Sequence, residues 1–312
     1  MIKKTMGIHH ITAIVGHPQE NVDFYAAILG LRLVKQTVNF DDPETYHLYF
    51  GNQGGQPGTI ITFFPWPDAY QGVIGDGQVG VTSYVVPKDA MEFWEKRLEK
   101  FNVPFTKMER FGERYLEFDD PHGLHLEIVE REEGENNTWT FGEVTPEVAI
   151  KGFGGATLLS AQPNKTAELL ENVLGLERVG TQGDFIRFRS VAEIGNIIDL
   201  KLTPIGRGKM GVGTVHHIAW RAKDDQDQLD WKKYIESNGY GVTPVQDRNY
   251  FNAIYFREYG EILFEIATDP PGFARDEPLA TMGGKLMLPA QYEPYRGQIE
   301  RGLLPFEVRE LD

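Results

Sequence analysis

Apolar segments and amphipathic helical segments alternate along the chain in a pattern that recurs four times. Each repeat opens with a short apolar segment, at 8–15, 79–86, 153–160 and 215–222. A helical segment follows each one; in the second repeat Met91, Trp94 and Leu98 have the i, i+3, i+7 spacing of one buried helix face. The first and third helices end in the same Leu-Gly-Leu sequence. We therefore expect Gly30 and Gly175 to adopt the left-handed conformation that ends a helix.

Strand-like runs separated by turn residues follow every helix. They lie at 46–51 and 59–64, 115–118 and 124–129, 185–188 and 197–202, and 253–256 and 262–267. Each repeat therefore has the order β-α-β-β-β, with a period of roughly 60–75 residues. We predict an α+β protein of four βαβββ modules, paired in chain order into domains at 1–135 and 147–270, with an irregular tail at 271–312.

Composition and charge exclude several classes of function. The chain has 312 residues, of which 41% are hydrophobic, enough for two packed domains, and no apolar run approaches the ~20 residues of a membrane helix. Because cysteine is absent, thiolate nucleophiles, disulfides and cysteine-ligated metals are excluded. A net charge of −15 argues against nucleic acid and anionic membranes as partners. The first residues lack the pattern of a signal peptide, so we expect a cytoplasmic protein.

Four of the eight histidines form two His-His pairs, at 9–10 and 216–217, each on the first strand of a repeat. Neighbouring strand residues face opposite sides, so each pair sends one imidazole to each face of its sheet. Aligning the other two first strands places Gly80 and Gly155 opposite the second histidine of each pair. Histidine is thus no structural requirement there, and its presence in the first and last repeats favours a metal site shared by those two repeats over two unrelated core histidines.

A carboxylate on the last strand of the fourth repeat can complete such a site. Glu265 stands within an otherwise apolar run, and a buried carboxylate is costly unless it is paired or bound to a cation. The alternatives are an exposed strand face or a salt bridge with Arg248 or Arg257. Glu127 has a similar place in the second repeat, which has no first-strand histidine, so we interpret Glu127 as a structural pair or relic.

His10, His217 and Glu265 together would form a facial triad of two imidazoles and one carboxylate. Such a triad leaves about three coordination positions open and is typical of non-haem Fe(II) sites. Ligand types alone do not choose among Fe(II), Mn, Zn and Ni.

With these residues the chain resembles the vicinal oxygen chelate superfamily of glyoxalases, bleomycin-resistance proteins and extradiol dioxygenases. Within that superfamily it is similar to the ring-cleaving dioxygenases that act on hydroquinones. The matching stretches, which together span nearly the full length, lie at 7–14, 37–51, 57–66, 215–219 and 263–273. The resemblance implies two glyoxalase-like domains and iron ligands at the three residues of the triad. It also implies catalytic or supporting roles for His9, Thr12, His216, Arg248 and Tyr255.

We therefore predict an Fe(II)-dependent dioxygenase that inserts O2 into a hydroquinone-type or catechol-type ring, with quinone or hydroquinone detoxification as its expected setting. Its partners would be a small aromatic substrate and O2, and we expect a homo-oligomer, a dimer or a higher form. Two alternatives stay open. One is an oxygen-independent glyoxalase-type isomerase or lyase with Zn, Ni or Mn, and the other is a non-catalytic protein that binds an aromatic ligand.

Overall fold

The computed structural model describes residues 2–311 and contains four βαβββ modules. The first module comprises β1 (Ile8–Val15), α1 (Pro18–Val22), β2 (Arg32–Asn39), β3 (Asp42–Gly51) and β4 (Ile60–Pro65). The second comprises β5 (Gln78–Val86), α2 (Met91–Lys100), β6 (Phe105–Arg110), β7 (Glu113–Asp119) and β8 (His125–Glu130). The third comprises β9 (Gly152–Leu159), α3 (Pro163–Asn172), β10 (Glu177–Gln182), β11 (Phe185–Arg189) and β12 (Ile197–Lys201). The fourth comprises β13 (Thr214–Ala222), α4 (Asp225–Ser237), β14 (Gln246–Asp247), β15 (Phe251–Arg257) and β16 (Leu263–Pro271).

The helix ends follow the sequence pattern. Gly30 has a φ of +69° and Gly175 a φ of +70°, which confirms the left-handed conformation predicted for both. A Cβ atom at Gly175 would also collide with the backbone carbonyl of Lys3, so glycine is required there for space as well. The first helix differs from the regular helix expected: it widens over Asp23–Ile28 into π-helical turns.

The modules pair in a different order from the one we predicted. One curled eight-stranded sheet has the order β14-β15-β16-β13-β1-β4-β3-β2 and joins the first module to the fourth. The other has the order β10-β11-β12-β9-β5-β8-β7-β6 and joins the second module to the third. The sheets therefore do not coincide with the sequence halves 1–135 and 147–270. Hydrophobic periodicity identifies the strands within a module, whereas long-range pairing of the first strands, β1 with β13 and β5 with β9, decides which modules share a sheet.

The two sheets share one core. A single cluster of buried apolar side chains draws on all four modules and includes Trp94, Trp220 and Trp231. Among residues 2–311, no helix has the length and apolar character needed to cross a lipid bilayer.

The C-terminal segment is less irregular than predicted. It contains three short 3-10 turns and a helix, α5 (Arg296–Gly302). Its Phe273 and Met282 pack into the apolar cluster on the inner face of the first sheet. Asp276 accepts a hydrogen bond from the fully buried Lys35 at 2.6 Å, and Glu277 pairs with the same ammonium group. The segment is thereby fastened to β2 and covers part of that inner face.

Candidate metal centre

Three neighbouring strands of the first sheet bring His10, His217 and Glu265 together. β1 and β13 run antiparallel, with Thr12 opposite His217 and His10 opposite Ala219. β16 runs parallel to β13 on its other side and places Glu265 beside Ala219. Because Ala219 has only a methyl group, it leaves space between the His10 imidazole and the Glu265 carboxylate.

The ligand-type atoms of these three side chains converge on one buried point. The Nε2 atoms of His10 and His217 lie 3.2 Å apart. Oε2 of Glu265 lies 3.4 Å from the first of these nitrogens and 2.9 Å from the second. His10 is 1% exposed, His217 6% and Glu265 0%. Within residues 2–311, no other group of three or more His, Asp or Glu side chains converges in this way.

The surroundings of Glu265 test whether a cation fits. Neither oxygen of its carboxyl group has a hydrogen-bond partner among the described residues. Burial raises the pKa of Glu265, but His10 and His217 lower it by more, so the group is an ionised carboxylate. A buried carboxylate in this condition is costly without a cation. Two imidazole nitrogens and one carboxylate suit a divalent transition metal, so the residues present fit Fe(II), Mn, Zn or Ni.

A hydrogen-bonded chain behind His10 fixes which of its nitrogens carries the proton. Nε2 of His9 lies 3.1 Å from the carbonyl oxygen of Thr268, and the Nδ1 atoms of His9 and His10 lie 2.9 Å apart. The carbonyl can only accept, so His9 donates from Nε2. Burial, with His10 beside it, lowers the pKa of His9 well below 6.5, so its Nδ1 is an acceptor. His10 therefore donates from Nδ1 and keeps the lone pair of Nε2 free, as a metal-ligating histidine must.

His216 contacts His217 through Nδ1, as His9 contacts His10, and it also faces a cavity. Their Nδ1 atoms lie 2.7 Å apart. Burial, with His217 beside it, lowers the pKa of His216 to about 3, so this imidazole is neutral. With Nε2 of His217 as a ligand atom, His217 donates from Nδ1 and His216 accepts. The remaining N–H of His216, at Nε2, is then available to a ligand in the cavity that His216 lines.

The cavity that opens onto these side chains has a volume of about 520 Å3. Arg248 and Tyr255 lie on its wall, together with the flat apolar rings of Phe64 and Phe251. Arg248 donates to Oδ2 of Asp41 at 3.1 Å and to the hydroxyl of Tyr255 at 3.3 Å. Burial lowers the pKa of Arg248, but Tyr255 and Asp41 raise it by more, so Arg248 stays a charged guanidinium, paired with Asp41 on the same cavity wall.

Two of the predicted residues lie behind the cavity wall, and several residues that line the cavity were not predicted. His9 packs behind His10, and Thr12 is fully buried, with its hydroxyl oxygen 2.8 Å from that of Thr62. His47 and Tyr49 line the cavity, although we predicted no role for either of them. The available signal was their i, i+2 spacing on β3, which puts both on one face of the strand.

The second sheet has no histidines at the equivalent positions. Its ladders place Val81 and Gly155 where the first sheet has His10 and His217. The predicted alignment of Gly80 with His10 is wrong by one residue, because β5 is bulged at that point.

Two buried carboxylates, those of Glu127 and Asp199, lie on strands of the second sheet, and arginines pair with them. Glu127 accepts hydrogen bonds from both terminal nitrogens of Arg110, at 3.0 and 2.9 Å. Asp199 accepts from Arg110 at 2.7 Å and from Arg187 at 2.8 and 2.9 Å. This confirms the interpretation of Glu127 as one member of a structural pair.

Comparisons with known proteins agree with this architecture. The model of the "Glyoxalase/Bleomycin resistance protein/Dioxygenase superfamily" matches residues 7–128. The Bacillus subtilis (strain 168) protein named "Putative ring-cleaving dioxygenase MhqO" is 84% identical over 312 residues, which cover 100% of both chains. The Sphingobium indicum protein named "Chlorohydroquinone/hydroquinone 1,2-dioxygenase" is 34% identical over 310 residues, which cover 96% of each chain.

Solved structures also resemble this chain. The crystal structure of a "putative dioxygenase" from Bacillus subtilis is 84% identical, with a TM-score of 0.98 over 99% of this chain and 100% of that chain. The crystal structure of glyoxalase I from Zea mays is 12% identical and shares the fold, with a TM-score of 0.63 over 84% of this chain and 92% of that chain. The chain therefore belongs to the glyoxalase/bleomycin resistance protein/dioxygenase superfamily and is related there to the chlorohydroquinone/hydroquinone dioxygenases.

Proposed function

We propose that the protein is an Fe(II)-dependent dioxygenase that opens the ring of a hydroquinone-type or catechol-type compound. The observation that carries this proposal is the buried triad of His10, His217 and Glu265, which opens onto a cavity with aromatic walls. Three ligands on one side of a metal leave about three positions for a substrate oxygen and O2. Relatives named as dioxygenases, one of them for hydroquinones, support the class of substrate.

The three ligand side chains define the charge of the site. Two neutral imidazoles and one carboxylate would leave one net positive charge on a divalent ion. Bound Fe(II) would lower the pKa of a coordinated phenol and bring the phenol and O2 into contact.

The cavity residues would orient the substrate and stabilise charge. Phe251, whose ring lies 4.9 Å from that of His10, and Phe64 offer flat surfaces for an aromatic ring. Neutral His216 would donate its Nε2 proton to a ring oxygen that gains negative charge during cleavage. The guanidinium of Arg248 would stabilise the same developing charge from the cavity wall.

The two alternatives from the sequence have less support. A non-catalytic protein for aromatic ligands has no need of a buried Glu265 without hydrogen bonds. A glyoxalase-type isomerase or lyase would use the same three ligands with Zn, Ni or Mn, so its independence of O2 is the property that separates it from a dioxygenase.

Oxygen uptake by protein loaded anaerobically with Fe(II) tests the proposal. Hydroquinone, methylhydroquinone and catechol are offered in parallel under isotopically labelled O2, with Mn(II)-loaded, Zn(II)-loaded and metal-free protein as controls. Ring opening adds both atoms of O2 to the substrate, whereas oxidation to a quinone adds neither. We expect iron-dependent uptake with a hydroquinone and two labelled oxygen atoms in the product.

Three results would contradict the proposal. An absence of uptake with all three phenols, despite bound metal, would favour oxygen-independent chemistry. Uptake without label in the product would mean quinone formation. Equal uptake by the Glu265→Gln variant would mean that iron outside the triad is responsible.

The predicted cytoplasmic location and homo-oligomeric state belong to the same proposal. Fractionation of cells that make the protein tests the first. Size-exclusion chromatography with light scattering tests the second, for which we expect a mass at least twice that of one chain.

A further inference from the structure

The two modules that build the metal centre are related by a pseudo-twofold axis between β1 and β13. In the first module, Tyr49 pairs with Thr62 on β4, the strand beside β1. In the fourth module, Tyr255 pairs with Glu265 on β16, the strand beside β13. Thr62 therefore occupies the position in the first module that Glu265 occupies in the fourth, and Tyr49 corresponds to Tyr255.

At the position equivalent to Glu265, the first module offers a chain of neutral hydrogen-bonding groups in place of a carboxylate. The hydroxyl oxygens of Thr12 and Thr62 lie 2.8 Å apart, and the Thr62 oxygen lies 2.8 Å from Nε2 of His47. Nδ1 of His47 lies 2.8 Å from the hydroxyl of Tyr49. The chain thus runs from β1, which carries His10, to the cavity wall, where His47 and Tyr49 stand.

Every member of this chain is uncharged and can both donate and accept a hydrogen bond. Burial, with His10 and His217 nearby, lowers the pKa of His47 well below 6.5, so its ring has one donor and one acceptor nitrogen. Burial raises the pKa of Tyr49 well above 10, so the phenol keeps its proton. Hydroxyl groups rotate, so the chain can run in either direction. In both directions the Tyr49 hydroxyl retains hydrogen-bonding capacity for a ligand in the cavity.

We propose that the Tyr49 hydroxyl binds the ring hydroxyl of the substrate that does not coordinate the metal, and that His47 and Thr62 are the residues that position it. This inference takes its class of substrate from the proposed function. It makes Tyr49 a specificity-determining residue. A compound with two ring hydroxyls can coordinate the metal through one of them and form a hydrogen bond to Tyr49 through the other. A simple phenol has no second hydroxyl and leaves the buried Tyr49 hydroxyl with one hydrogen bond unmade.

Anaerobic calorimetric titration of Fe(II)-loaded protein tests this without turnover. The measured quantity is the ratio of the dissociation constant for phenol to that for hydroquinone. Tyr49→Phe removes one oxygen and keeps the ring, and we expect the ratio to fall roughly three- to tenfold, the value of one hydrogen bond. The matched control is Tyr46→Phe on the same strand, whose ring packs against Phe306 outside the cavity and whose ratio should not change.

The positioning role of Thr62 needs a conservative pair of variants. Thr62→Val keeps the shape of the side chain but removes the hydroxyl that forms a hydrogen bond with His47. We therefore expect the ratio of dissociation constants to fall, by less than it does in Tyr49→Phe. Thr62→Ser restores the hydroxyl and should restore the ratio. Elemental analysis should find unchanged iron in all variants, which separates loss of positioning from loss of metal.

The outcomes distinguish this inference from the proposed function. Hydroquinone binding that depends on Tyr49, without O2 uptake by the wild type, would support the inference and contradict the dioxygenase. An unchanged ratio in Tyr49→Phe, or a wild type that does not bind hydroquinone, would overturn the inference. An equal fall of the ratio of dissociation constants in Thr62→Ser and Thr62→Val would overturn the positioning role of Thr62.

Discussion

Glu265 and Glu127 occupy equivalent positions on the last strands of the fourth and second modules, in opposite electrostatic surroundings. Both are buried, at 0% and 1% exposure. Glu265 has two imidazoles beside it and no hydrogen bond, whereas Glu127 is bound at both oxygens by Arg110. The same strand position is thus suited to a metal ion in one sheet and to a guanidinium in the other.

This pair supplies matched variants for metal binding. Glu265→Gln should remove tightly bound divalent metal, because the anionic ligand is lost, whereas Glu127→Gln should leave it unchanged. Elemental analysis after dialysis against Fe(II) or Mn(II) measures both, and we expect one metal ion per wild-type chain. Equal metal content in the two variants would contradict the assignment of the site.

His9 should affect metal affinity without being a ligand. His9→Leu removes the acceptor for Nδ1 of His10, so the His10 ring loses its fixed proton position and orientation, and we expect metal affinity to fall about 10- to 100-fold. His9→Gln offers an amide in place of the ring and should retain more of the affinity. Competition with a chelator measures both variants, and identical affinities in His9→Leu and the wild type would refute the role.

Breaking the buried ion pairs that Arg110 makes with Glu127 and Asp199 in the second sheet should be strongly destabilising. Arg110→Met leaves Glu127 buried without its partner, and we expect the free energy of unfolding to fall by about 3–5 kcal/mol. Arg114→Met, at an exposed position on β7, should change it by less than about 0.5 kcal/mol. Urea unfolding monitored by circular dichroism measures both. Similar falls in the free energy of unfolding for the two variants would show that the buried Arg110 contributes no more than an arginine on the surface.

Stability should also depend on pH through Glu113. Burial raises its pKa, but Arg131, Tyr115 and Arg187 lower it by more, to about 2. Because the pKa is lower in the folded state than in the unfolded state, the stabilisation is complete above the unfolded value of 4.5 and disappears as the pH falls from there towards 2. Allowing for partial exposure, we expect Glu113→Gln to cost about 2 kcal/mol at neutral pH. The difference in free energy of unfolding between Glu113→Gln and the wild type, measured by urea titration, should shrink at progressively lower pH. A difference that does not change with pH would contradict the lowered pKa of Glu113.

The sequence was informative where local pattern decides the structure. Periodicity predicted the four modules and the glycines that end two helices. Two repeated His-His pairs and one carboxylate within an apolar strand pointed to the three residues that converge at the centre. The two His-His pairs indicated a site shared by the first and fourth modules, but the sequence did not reveal that these modules form one continuous sheet, because that pairing depends on contacts between distant strands. The bulge in β5 that puts Val81 at the position equivalent to His10 was missed for the same reason. His47 and Tyr49 were overlooked because single polar residues in a strand reveal their face only once the neighbouring strands are known.

The pairing of the first module with the fourth has a consequence for biosynthesis. His10 and His217 are 207 positions apart, so the ribosome completes the first ligand strand long before its partner exists. Closing so long a loop is entropically costly, and β1 must wait while the second and third modules, adjacent along the chain, can already pair. A nascent or truncated chain would therefore lack the full set of ligands for a metal ion, so a metal would be retained at this site only once nearly the whole polypeptide has folded.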